Sequence, residues 1–240
     1  MHKNLKHIVI DGCDGIGKTT QIKLLKQHYE KQGHVVLMTR GIGGPVGSEI
    51  ELLRTFMFQH HFQDKYLEEN IFALSEELNL RWIDEQKHIH MKSDKKDKLL
   101  VVLQDRGMMS HLAYAQSKGM SITEILDIYL KSTDLFAYLK TNTIVLMPND
   151  IDLIFNRIDV RNDSDKGSHL KFENREFQTQ VFDNIKKTLN LAYNVKDNHY
   201  YLNNNDYYVV EVSETSQKQD VNKQILEILN NAGVHNEVEI

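Results

Sequence analysis

Nine consecutive residues, Gly12-Cys13-Asp14-Gly15-Ile16-Gly17-Lys18-Thr19-Thr20, combine three glycines, a lysine and two hydroxyls. Their spacing is G-x-x-x-x-G-K-[ST], with an apolar run before it and a helical pattern from Lys18 onward. Glycines there let the backbone curl until successive N–H groups point inward. With the helix N-terminus these form a cradle for phosphate oxygens. Lys18 is then set to bridge the β- and γ-phosphates of a nucleoside triphosphate, and Thr19 to ligate the Mg²⁺ that such phosphates carry. Cys13 reads as a spectator whose backbone N–H matters more than its thiol, the thiol being open to reagents that would then block the loop. A second pair, Asp105-Arg106, closes an apolar run. Asp105 there suits a metal-bound water or a base, and Arg106 offers a fork of donors to a phosphate. GTPases, motor ATPases and small-molecule kinases all use such a loop, so the rest of the chain must choose among them.

The elements that hold these residues are legible as an alternation. Short Val/Ile/Leu-rich runs at 7–10, 35–39, 99–103, 143–147 and 207–212 do not alternate cleanly with polar residues, as strands buried on both faces do not. Helical patterns lie at 18–31, 48–61, 68–91, 110–132 in two pieces, 151–157, 173–196 and 217–230. Strand-helix alternation predicts βαβ units: a three-layer α/β sandwich with a five-stranded parallel sheet flanked by helices. The charged run 92–98 reads as a solvated loop, and the polar stretch 159–171 as a loop or a lid.

The chain has 240 residues, 40% hydrophobic and 26% charged, with a net charge of −5. With no linker or repeat, residues 1–240 read as a single domain. The acidic balance argues against a nucleic-acid polymer as partner. One cysteine excludes an internal disulfide, and no apolar run reaches signal-peptide or membrane-spanning form, so a cytoplasmic location is expected. The histidines at 60, 61, 88 and 90 read as surface residues.

Four stretches in order resemble the thymidylate kinases. They are the loop from Asp11 to Gln21; Thr39-Arg40-Gly41-Ile42-Gly43-Gly44, similar to T-R-E-P-G-G; Asp105-Arg106 with Ser110, Ala113 and Tyr114, similar to D-R-Y-x-x-S-S-x-A-Y-Q; and Phe172-Glu173-Asn174-Arg175-Glu176-Phe177-Gln178, similar to Y-E-N-x-x-F-Q. The resemblance implies transfer of the γ-phosphoryl of ATP to a deoxynucleoside monophosphate, with dTMP giving dTDP. Asp14 would take the sugar 3′-hydroxyl, Arg40 and Arg106 the acceptor phosphate, and Tyr114 the sugar edge. A lid at about 157–172 would supply positive charge, from Arg161 first, with Arg157 and Lys166 behind it. The family also implies Mg²⁺ and a homodimer.

The departures fall on the acceptor side. Family members stack a phenylalanine on the base and reach its edge with an arginine four residues later. In one register Phe72 is the stacker and Glu76 replaces the arginine. In the other Arg81 is the arginine and Glu77 replaces the stacker; its distance to Asp105-Arg106 favours this second register. A carboxylate at the base edge would suit an exocyclic amino group, so another or a modified deoxynucleotide is an alternative acceptor. A deoxynucleoside kinase and a P-loop regulatory ATPase are the remaining alternatives; Arg40 and Arg106 speak against the first, and the missing N-K-x-D motif against a GTP-type switch.

Overall fold

The computed structural model describes residues 5–59, 64–132, 141–164, 175–196, 198–202 and 205–234. In chain order these form β1 (Leu5–Gly12), α1 (Lys18–Lys31), β2 (Val35–Arg40), α2 (Glu49–Gln59), α3 (Lys65–Met91), β3 (Leu100–Asp105), α4 (Met108–Ser117) and α5 (Ile122–Ser132). There follow β4 (Asn142–Pro148), α6 (Asp152–Ser164), α7 (Arg175–Leu191), β5 (Tyr193–Lys196), β6 (His199–Leu202), β7 (Asn205–Val212) and α8 (Lys218–Val234).

One sheet has the order β2-β3-β1-β4-β7-β6-β5. Its first five strands pair in parallel, which are the five expected. Alternate residues of β3 point to opposite faces. Val101 and Leu103 join Ile22, Leu25 and Tyr29 of α1, while Leu100 and Val102 meet Leu80 and Ile83 of α3. Both faces are thus covered, which is why these strands read as unbroken apolar runs. Helix α8 packs with α1; α4 packs with α5 and α7.

Five expectations are corrected. The helix expected to continue to 196 stops at Leu191, and 193–196 is a strand. Helix α7 buries Val181, Ile185 and Leu189 at four-residue spacing, and that stripe ends at Leu189. Strands β5 and β6 extend the sheet antiparallel and are only four residues long, too short to leave an apolar run. Helix α6 runs through 158–164 rather than ending at Arg157, because Ile154 and Ile158 continue its buried face. Helix α3 begins at Lys65 because the Asp64 carboxylate accepts the N–H groups of Tyr66 and Leu67. His90 is buried with Nε2 2.8 Å from the Lys98 carbonyl, not on the surface; His60 and His61 lie outside the described residues.

Candidate active site

The carboxyl ends of β1, β2 and β3 converge, and the expected residues follow from there. Gly12, Gly15 and Gly17 all adopt positive φ, and a Cβ on Gly12 would lie 2.3 Å from the Leu146 carbonyl oxygen. Lys18 is buried, and its ammonium donates to the carbonyls of Gly12 at 3.0 Å and Cys13 at 2.8 Å. Burial, then nearby Arg106, lowers its hold on the proton, while Asp14, Asp105 and Asp11 oppose the change. Thr20 lies in the first turn of α1, and Ile16 is buried within the loop. Cys13 is fully buried, and burial pushes its thiol up to about 12. The expectation of a reagent-accessible thiol is therefore corrected.

Two aspartates join this loop to α4. The buried Asp11 carboxylate accepts from the N–H groups of Gly107 and Ser110 and from the Ser110 hydroxyl. Asp14 accepts from Arg106, from the Tyr114 hydroxyl and from Gln178 Nε2. Burial is the largest single influence and works against the charge on Arg106, but Asp14, Tyr114, Asp105 and Asp11 together overcome it and hold the guanidinium well above its usual range. Arg106 itself sits at φ 68, a left-handed conformation held by Gln104 Nε2, which donates to its carbonyl at 3.0 Å. Phe177 meets the Tyr114 ring edge-on at 5.4 Å.

A cavity of about 520 Å³ opens in front of Lys18. Arg40, Arg54 and Arg106 all line it. Arg40 is anchored to Glu51 at 2.8 Å, and burial together with Arg40 and Arg106 lowers the pKa of Arg54. Arg54 was not singled out from the sequence; it reaches the cavity from α2, over Gly43, and only the fold brings it there. Thr19 Oγ1 lies 3.4 Å from Asp105 Oδ2, and Asp105 Oδ1 is buried with no hydrogen-bond partner. Two hard oxygen donors, one of them orphaned, fit a magnesium ion that takes its other ligands from phosphates and water. Among the described residues no cluster of three His, Cys, Asp or Glu forms a metal site of its own.

The far wall holds Phe72, Glu69, His111 and Lys118. Arg81 is not there: it lies nine residues, about two and a half turns, beyond Phe72, so it faces the other way. Its side chain is 60% exposed and pairs with Glu77 at 2.6 Å. The register with Arg81 at the base edge is corrected accordingly, and Phe72 is the aromatic in the cavity. Glu76 lies behind this wall rather than on it, with Oε1 accepting from Gln104 Nε2 at 2.9 Å.

A second cavity, of about 310 Å³, abuts the other side of the loop and shares Gly15, Gly17, Thr20 and Arg157 with the first. Arg157 donates to the Ile16 carbonyl at 2.9 Å. Arg161 lies on α6, but its side chain, like all of Lys166, is outside the described residues.

This fold and loop define a nucleotide-binding protein of the P-loop α/β class. Comparison with protein families narrows it: the family described as thymidylate kinase matches residues 10–216, and the chain belongs to that family. The thymidylate kinase of Geotalea uraniireducens is 60% identical over 37 residues, 15% of this chain and 17% of that protein. That of Desulfotalea psychrophila is 31% identical over 130 residues, 50% of this chain and 55% of its own length. The probable thymidylate kinase of Pyrococcus abyssi is 32% identical over 125 residues, 50% and 57% of the two chains. The chain thus spans little more than half the length of these curated relatives, or less. A solved thymidylate kinase from Ehrlichia chaffeensis shares the fold, with a TM-score of 0.61 over 95% of this chain and 99% of that one at 20% identity. Among the described residues no helix is long and apolar enough to cross a membrane.

Proposed function

We propose that this chain transfers the γ-phosphoryl of ATP to dTMP, giving dTDP. The observation that carries the reading is the pair of cavities meeting at one phosphate loop, with three guanidiniums on one side only. One cavity suits the donor and the other an acceptor that is itself a phosphate ester. Two anionic phosphates repel, and phosphoryl transfer is chiefly positioning and charge neutralisation. Arg40, Arg54 and Arg106 hold the acceptor phosphate. Lys18 exchanges its loop carbonyls for the β- and γ-oxygens. Thr19 and Asp105 would hold Mg²⁺, which supplies charge neutralisation at the donor phosphates. Asp14, fixed by Arg106, Tyr114 and Gln178, takes the sugar hydroxyl, and Tyr114 closes the sugar edge. Arg157 supplies lid-side charge, because it already borders both cavities. On this reading residues 1–240 form one kinase unit.

The test is ADP release from Mg·ATP with each deoxynucleoside monophosphate and each nucleoside. Turnover with dTMP, none with thymidine and near-zero ATP hydrolysis alone is the expected outcome. Turnover with nucleosides only, or ATP hydrolysis without any acceptor, overturns it.

A further inference from the structure

Arg106 reaches the acceptor cavity from a backbone conformation that side chains seldom adopt. Its φ of 68 lies in the left-handed region, which a residue other than glycine keeps only where its surroundings over-determine it. Both of its backbone polar groups are held. Its N–H donates to the Ile10 carbonyl at 3.0 Å, and its carbonyl accepts from Gln104 Nε2 at 3.0 Å. Gly41 packs directly on that carbonyl, for a Cβ there would lie 2.4 Å from its oxygen. Gln104 itself, on β3, is 1% exposed and lies behind the acceptor cavity rather than on its wall.

The amide of Gln104 is fully engaged. Its oxygen accepts from His7 Nε2 at 2.8 Å and from Asn79 Nδ2 at 3.1 Å. Its nitrogen donates to Glu76 Oε1 at 2.9 Å and to the Arg106 carbonyl. A side-chain amide has two lone pairs and two N–H bonds, and all four are used. The partners also fix which way it faces. A carboxylate and a peptide carbonyl only accept, so turning the amide over would set oxygen against oxygen twice. Glu76 on α3 thus helps hold the donor end of Gln104 toward Arg106. We propose that Gln104 is a positioning residue for the acceptor phosphate: it holds Arg106 in the left-handed conformation that presents the guanidinium to the cavity. It acts on the substrate only through Arg106. This rests on the dTMP reading above and adds to that site a residue that touches no ligand.

The experiment measures equilibrium binding of dTMP and thymidine, whose ratio isolates what the phosphate contributes. The proteins are the unaltered chain, Gln104→Met, Gln104→Glu, His7→Leu, Arg106→Ala, and Gln104→Met combined with Arg106→Ala. A cooperative thermal transition checks that each is folded. Gln104→Met keeps the length of the side chain and removes both N–H bonds, whereas Gln104→Glu keeps the shape and accepts where the amide donates. Should one of the two not fold, the other carries the test. The unaltered chain should prefer dTMP to thymidine by about 100-fold or more, and each Gln104 variant should cut that preference about tenfold. His7→Leu removes a partner of the same amide but neither donor bond, so it should leave the preference intact. On top of Arg106→Ala, Gln104→Met should have no further effect, because its route to the phosphate is gone. An unchanged preference in the Gln104 variants overturns the inference alone. So does an equal fall in His7→Leu, or a full further fall on top of Arg106→Ala, since either makes Gln104 a general support of the fold. If the unaltered chain binds ATP but does not prefer dTMP to thymidine, the dTMP reading itself fails, and the inference with it.

Discussion

Residues that act alone in the sequence act in company in the fold. Cys13 is the plainest case: it sits inside the phosphate loop, yet is buried with its thiol pushed up to about 12. Thiolate, not thiol, attacks disulfide reagents, so the native protein should be inert to such a reagent at pH 8. One equivalent should react after denaturation, which a colorimetric thiol titration reads. Arg54 is the converse, silent in the sequence and present in the cavity. A charge-assisted hydrogen bond to phosphate is worth about 1.5–3 kcal/mol. Arg54→Ala should therefore raise the KM for dTMP about 10- to 100-fold and leave that for ATP unchanged. The loop, Asp105, Arg106 and Tyr114 were legible because their spacing is local. Arg54 was not singled out at all, and for Asp11 and Gln178, which stand in the quoted stretches, the partners were not legible, because Asp11 meets α4 and Gln178 meets the loop, elements distant in sequence.

At the scale of elements, α3 teaches most. Its inward face carries Glu69, Phe72, Glu76 and Leu80, at the three- and four-residue steps of a helix. Spacing to Asp105-Arg106 favoured Arg81, but helical phase places Arg81 outside that face. Its buried face mixes Glu69, Glu76, Asn79 and Lys87 with the apolar residues, so hydrophobic pattern alone did not mark that face in the sequence. Arg81→Ala should leave the KM for dTMP unaltered, whereas Phe72→Ala should raise it about 10- to 100-fold, the usual cost of losing a base–aromatic stack. Steady-state kinetics on both variants distinguishes the two registers. Strands β5 and β6 were illegible for another reason. Each is four residues long, and β6 is held to β7 partly by His199, stacked on Tyr208 at 4.4 Å and 2.9 Å from Asp206. Neither contact leaves a period in the sequence.

The whole molecule inherits its acid sensitivity from a buried network on the α3 face of the sheet. His7 on β1 and Asn79 on α3 both meet Gln104 Oε1, at 2.8 and 3.1 Å. Burial lowers the His7 pKa to about 4, against a smaller opposing contribution from Gln104. The unfolded chain, with a histidine near 6.5, therefore binds more protons than the folded one below that pH. Stability is fully present above about 6.5 and falls as the pH drops toward 4, by up to about 3 kcal/mol. Denaturant unfolding at a series of pH values should show this slope, and His7→Leu should flatten it.

The two aspartates that bind the loop to α4 have a consequence for how the ligands speak to each other. Asp14 is one residue of the phosphate loop and also the partner of Arg106 and Tyr114. Asp11 fixes the start of the helix that carries Ser110, His111 and Tyr114. A nucleotide that reshapes the loop must therefore bias the acceptor cavity, and the bias is reciprocal by thermodynamic necessity. Occupancy of one half of the molecule becomes information in the other. The affinity for dTMP should differ with and without a non-hydrolysable ATP analogue, by the same factor that dTMP changes the analogue's affinity. Asp14→Asn, which weakens the grip on Arg106, should draw that factor toward one.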